Sequence, residues 1–174
     1  MNETVKNIIE RRSCKKYLAK PVEKELIDLV IKAGTYAPTG RNRQPVKILA
    51  ITDPKVRDEL RKLNATIMGM DEGIDPFSGA PVVMVVLADP MVSTYLYDGS
   101  LVMGNMMNAA HALGLGSCWV HRAKEEFASE YGKNLLKSLG IEGEWEGIGH
   151  CLLGYADGPL PEAKPRKEGW VHYL

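Results

Sequence analysis

The stretch YLYDGSLVMGNMMNAAHAL, residues 95–113, limits more than any other how this chain can fold. Its apolar side chains recur around nearly the whole helical circumference, so no broad face is left to meet water. Such a helix belongs in the molecular centre, covered on more than one side. A second segment is almost as restrictive. APVVMVVLA, at 80–88, is a continuous apolar run of strand length, the pattern of a strand buried on both faces.

The other elements arrange themselves around these two. Residues 2–12 carry Val5, Ile8 and Ile9 at helical spacing. In PVEKELIDLVIKAGTYA, Leu26, Ile27, Val30, Ala33 and Tyr36 form one stripe of a second helix, with Pro21 before it and PTG after it as stops. VKILAIT, at 46–52, reads as a strand. Asp53 is placed to cap a short amphipathic helix, PKVRDELRKLN, with Pro54 at its first position. Residues 65–80 hold three glycines and Pro76 and read as a long loop. GLGSCWV is a further strand, KEEFASEYGKNLLKSLG one or two surface helices, and EGIGHCLLGYA a last strand. No repeat or linker interrupts the pattern, so 1–174 reads as one domain. Its end, 157–174, is a proline-broken tail in which Trp170, Val171, Tyr173 and Leu174 need a surface to cover, such as another subunit.

Composition and charge remove several function classes. Lys plus Arg equals Asp plus Glu, so no overall positive field draws the chain to nucleic acid or anionic lipid. The longest apolar stretch is far below the roughly 20 residues of a membrane span. The charged N-terminus lacks an export signal, and three scattered cysteines read as reduced thiols, which together point to a cytoplasmic protein. The GxG of GLGSCW follows a helix and opens a strand, the reverse of the dinucleotide fingerprint. Cys118, His121, His150 and Cys151 lie on strands at offsets that send neighbours to opposite faces, so no metal site is expected. They read instead as core cysteines and partly exposed histidines. No GxSxG elbow is present.

Two polar segments remain. RRSCKKY, at 11–17, sets four cations around one cysteine, and APTGRNRQP, at 37–45, carries the amides of Asn42 and Gln44. Arginine forks suit a phosphate, and bidentate amides suit the edge of a heterocycle. Together they fit a mononucleotide such as flavin mononucleotide (FMN). The residues alone leave a solvated charged face as an equal alternative.

In order and spacing, RRSCKKY, PVEKELIDLVIKAGTYAPTGRNRQP, GLGSCWV after a long helix, LLGYADG and KPRK resemble the FMN-dependent nitroreductase family, from about residue 4 onward. The resemblance implies an α+β fold of three layers: a mixed, mostly antiparallel sheet flanked by helices, built as an intertwined homodimer. It places an FMN at each interface, touched by both subunits, with the tail wrapping the partner.

Carried onto this sequence, the resemblance assigns Arg11, Arg12 and Ser13 to the phosphate and ribityl chain. Arg166 and Lys167 approach the same phosphate, and Lys15 sits by the N1/O2 side of the ring. Pro38, Thr39, Gly40, Asn42 and Gln44 reach the ring and ribityl from the partner subunit. Cys118, Trp119, Val120 and His121 run beside the isoalloxazine, and Asn64 adds a ring contact. The implied activity is hydride transfer from NADH or NADPH through flavin N5 to nitroaromatics, quinones or similar acceptors, with no protein acid or base required. A non-catalytic FMN-binding or sensing protein, or a related dehalogenase-like or flavin-fragmenting enzyme, uses the same grip. This chain departs from many relatives in having lysine at 15, valine at 46, and His121-Arg122 where a glycine is common.

Overall fold

A computed structural model describes all residues, 1–174. Ten main elements follow in chain order: α1 (Glu3–Glu10), α2 (Lys24–Thr35), β1 (Val46–Ile51), α3 (Pro54–Ile67), β2 (Val82–Ala88), α4 (Tyr95–Ala112), β3 (Gly116–Val120), α5 (Ala123–Ala128), α6 (Glu130–Ser138) and β4 (Glu146–Gly154). The four strands form one sheet in the order β1-β2-β4-β3, and every neighbouring pair is antiparallel. The only parallel element is an isolated bridge between Ser13 and Ser117.

β2 explains its own sequence. Val82, Met84, Val86 and Ala88 enter one core, and Val83, Val85 and Leu87 enter the other. A strand has period two, so a strand buried on both faces must be apolar at every position. On one face the first core takes Ile27 and Val30 of α2 with Val102, Met103 and Met106 of α4. On the other, Leu60 of α3, Phe127 of α5 and Leu136 of α6 close the second core. Three layers result, helices on both sides of a sheet.

Local chemistry sets the boundaries. The Asp53 side chain accepts the Lys55 N–H at 2.8 Å with Pro54 in the first turn, as expected. α3 runs three residues beyond the expected end, to Ile67, because Leu60, Asn64 and Ala65 carry its buried stripe onward. Ser129 is extended at φ −71° and ψ 165°, which divides the surface segment into α5 and α6. Its hydroxyl accepts the Gly132 N–H and caps the second helix.

As expected, α4 is covered on more than one side, by the sheet and by α2, with α1 touching it at Asn108; within one chain only a strip stays open, where Leu96, Tyr97 and Leu101 are 49%, 69% and 48% exposed. One expectation needs correction. His150 is not partly exposed but fully buried in the second face of the sheet. Val5, Ile8 and Ile9 of α1 are also open, no residue of α1 is buried, and residues 161–174 are exposed throughout. No helix is long and apolar enough to cross a membrane.

Candidate active site

After α1 the chain straightens and lies against the end of the sheet. The Cys14 N–H donates to Ser117 O at 2.9 Å, and the Tyr17 hydroxyl donates to Cys14 O at 3.0 Å. Cys14 and Tyr17 are buried, whereas Lys15 between them is exposed. Extended backbone alternates its side chains, so burying Cys14 sends Lys15 outward. There it shares a cavity of about 390 Å³ with Cys118, Trp119, Val120 and His121 of β3 and its exit. The loop after α3 also lines it, through Met68, Met70 and Ile74. That loop is tied down by Arg61, whose Nη1 donates to Glu72 O and Ile74 O at 2.6 and 2.9 Å. These apolar residues lie in the segment that reads as a long loop in sequence.

The charges around this cavity are unequal in their freedom. Arg11 Nη1 is buried and has no hydrogen-bond partner. Arg12 instead turns its Nη1 back onto the carbonyls of Ile9 and Arg11 at 2.7 and 2.8 Å. Burial pushes the Cys118 thiol up, while a hydrogen bond from Ser13 and the positive charges of Lys15 and Arg11 pull the other way. Arg11, Ser13, Lys15 and Cys118 therefore gather at one place, a set suited to an anionic ligand with a flat apolar body.

The remaining expected residues lie elsewhere. Pro38 to Gln44 lead into β1, the sheet edge opposite β3. The Gly40 N–H donates to Asp98 Oδ1 at 2.9 Å, and Thr94 donates to the other oxygen of this buried carboxylate at 2.8 Å. The clamp holds a strained loop: Arg41, Asn42 and Gln44 have φ of 53°, 54° and 51°, a region costly for side chains with a Cβ. Asn42 and Gln44 are exposed and bonded to each other at 2.9 Å. Arg166 and Lys167 sit on the exposed tail in a surface hollow with Trp170, apart from Arg11. One chain thus assembles Arg11, Ser13, Lys15 and residues 118–121, and leaves residues 38–44 and 166–167 at separate surfaces.

Asn64 is fully buried and does not line the cavity. Its Nδ2 donates to His121 O at 2.9 Å and to Glu126 Oε1 at 2.5 Å. Glu126 Oε2 in turn lies 2.7 Å from His150 Nε2, and the other ring nitrogen of His150 faces Val120 O at 3.3 Å. Sequence reasoning missed Glu126 and His150. A histidine inside an otherwise apolar strand was the available signal, because a buried imidazole needs a polar partner.

The chain is 33% identical over 161 residues to an Archaeoglobus fulgidus protein provisionally named an NADH dehydrogenase/NAD(P)H nitroreductase, covering 89% of this chain and 86% of that one. It is 28% identical to the NADPH-flavin oxidoreductase of Vibrio harveyi, covering 95% of this chain and 70% of that protein. A crystal structure of a nitroreductase with bound FMN from Desulfitobacterium hafniense superposes with a TM-score of 0.88 at 27% identity, over 100% of this chain and 99% of that one. The nitroreductase family model matches residues 8–72 and 74–155, and with it the chain belongs to the nitroreductase family.

Proposed function

We propose that the chain is an FMN-dependent NAD(P)H oxidoreductase that reduces nitroaromatics, quinones or similar flat acceptors. The observation that carries this reading is the buried, partnerless Arg11 Nη1, whose positive charge reaches Cys118 in the wall of the cavity that Lys15 also lines. A buried cationic donor without a partner is costly, and a phosphate oxygen satisfies it. Relatives named NADPH-flavin oxidoreductase and FMN reductase support the same cofactor chemistry.

Bound FMN supplies reversible hydride transfer at its ring nitrogen N5. The protein binds and orients. Arg11 and Ser13 hold the phosphate end, and Lys15 presents an ammonium to the pyrimidine edge of the ring. The chain from Cys118 to His121 lies along the ring, and Met68, Met70 and Ile74 give the acceptor an apolar wall.

The site is completed across a homodimer. The open apolar faces of α1 and α4 and the uncovered Trp170, Val171 and Tyr173 support a partner copy of this chain. Across that interface Asn42 and Gln44 exchange their mutual bond for a ring and ribityl, and Arg166 and Lys167 reach a phosphate that their own chain keeps distant.

Purified protein tests the reading. Visible bands of bound oxidised flavin, bleached by NADH or NADPH and restored by a quinone, are expected. A colourless protein that does not take up added FMN refutes it. A yellow protein that neither NADH nor NADPH reduces leaves FMN binding standing and removes the enzymatic claim.

A further inference from the structure

Two ionisable side chains with no exposed surface lie directly behind the exit of β3. Glu126 and His150 are both 0% exposed, and Asn64 joins them. The proton count follows from the partners. Val120 O only accepts, so His150 Nδ1 carries a proton; one further proton lies between Nε2 and Oε2. The unit is net neutral whichever atom holds that proton, which removes most of the penalty of burying a charge.

What the unit grips is more informative than its charge. Its two outer bonds end on consecutive backbone carbonyls, Val120 O and His121 O. In a trans peptide the C=O and the next N–H point in opposite directions. Drawing these carbonyls inward turns the N–H groups of His121 and Arg122 outward, and neither donates a hydrogen bond within the chain. Both residues line the cavity. The turn is held against its own preference, because Arg122 has φ of 82°. It is also held at the expense of Asn64 Oδ1, which is buried without a partner. Unmet polar groups and strained backbone persist together where surrounding contacts over-determine them.

We infer that Glu126 is a positioning residue: with His150 and Asn64 it withdraws two carbonyl oxygens from the cofactor wall and aims the two following N–H groups at the flavin edge. The inference rests on the FMN reading above. Carbonyl oxygens facing the ring would oppose the negative charge that reduction leaves on it, whereas N–H donors favour that charge. Glu126 acts through geometry, so an isostere preserves the device. In Glu126→Gln the new amide oxygen accepts from Asn64, the new NH₂ donates to unprotonated His150 Nε2, and His150 Nδ1 still donates to Val120 O.

The test uses FMN-loaded wild type, Glu126→Gln, Glu126→Ala and Asn64→Ala. Glu126→Ala and Asn64→Ala are expected to shift the flavin midpoint potential negative and to slow anaerobic reduction by NAD(P)H about tenfold. FMN affinity, held mainly at the phosphate, changes less than about threefold, and Glu126→Gln behaves like wild type. A tenfold loss of preference for reduced flavin reads as about 30 mV for a two-electron couple. If Glu126→Ala does not fold, Asn64→Ala decides by the same measurements. Unchanged potential in the folded alanine variants overturns the inference even if they melt earlier, since a merely structural unit lowers stability alone. A Glu126→Gln potential shifted as far as that of Glu126→Ala also overturns it, because the isostere keeps the bonds that hold the two carbonyls and position would then not be responsible. Wild-type protein that binds no FMN refutes the underlying function and this inference with it.

Discussion

Replacing Arg11 by alanine separates two roles of a partly buried cation, because they predict opposite signs. Arg11 Nη1 is buried and unpartnered in the chain. Without ligand it is therefore a cost, about 1–3 kcal/mol for an unsatisfied polar donor. With a phosphate oxygen in reach it becomes a charge-assisted hydrogen bond of about 1.5–3 kcal/mol. At about 1.4 kcal/mol per decade, Arg11→Ala should weaken FMN binding roughly ten- to hundredfold. Riboflavin lacks the phosphate and should change less than about twofold. The ligand-free variant should melt no earlier than wild type, since the substitution removes an unmet donor.

The stabilisation conferred by FMN then scales with the loss of affinity. At a free concentration about 100 times the wild-type Kd, FMN adds about 2.7 kcal/mol to wild type. At that same concentration it adds about 1.4 kcal/mol to a variant that binds tenfold more weakly. Fluorescence-quenching titrations with FMN and riboflavin, followed by melts with and without FMN, measure all three quantities. Equal losses for the two flavins would mean that Arg11 holds the ring or the fold. A ligand-free variant melting several degrees early would also refute the argument, because Arg11 would then be stabilising the empty protein.

Lys15→Met keeps the length of the stem and removes the charge, so the flavin midpoint potential should move negative while dimerisation is unaffected; redox titration checks it, and an unchanged potential with FMN bound removes Lys15 from the ring. Deleting residues 165–174 should lower both FMN content and dimer stability in sedimentation and absorbance measurements, and a truncated protein that stays dimeric and fully yellow contradicts the proposed role of the tail. Arg122→Gly relieves a left-handed residue at φ 82° and should raise stability by about 1 kcal/mol in urea unfolding, with only the weak 3.7 Å ion pair to Glu125 given up. The Cys151 thiol is pushed up to about 12 by burial, and that of Cys118 is also raised, so both stay protonated at pH 8 and should react with a disulfide reagent only after unfolding.

What the sequence disclosed and what it hid divide along a physical line. β2, the Asp53–Pro54 helix start and the extent of α4 follow from period, capping and side-chain size, which act within a few residues. Glu126 lies in a short charged run that looks solvated, and it is buried because His150, 24 residues away, and Asn64, 62 residues away, receive its carboxylate. Propensity contains no such term. Arg41, Asn42, Gln44 and Arg122 take positive φ that their side chains disfavour, so local preference predicts the wrong backbone at those positions. The non-local contacts that override preference fall at the two segments assigned to the cofactor, Asp98 clamping residues 39–44 and Asn64 with His150 clamping residues 120–122. The open apolar surface of α1, α4 and the tail is a different kind of gap. Sequence and structure agree that Ile8, Leu101 and Trp170 are apolar, and one chain has nothing to cover them. The loop at residues 39–44, clamped in strain on one sheet edge with Asn42 and Gln44 exposed, poses the same problem as that uncovered surface. In the proposed homodimer a second copy of the chain meets both requirements at once, so the proposals of a dimer and of a shared flavin site stand or fall together.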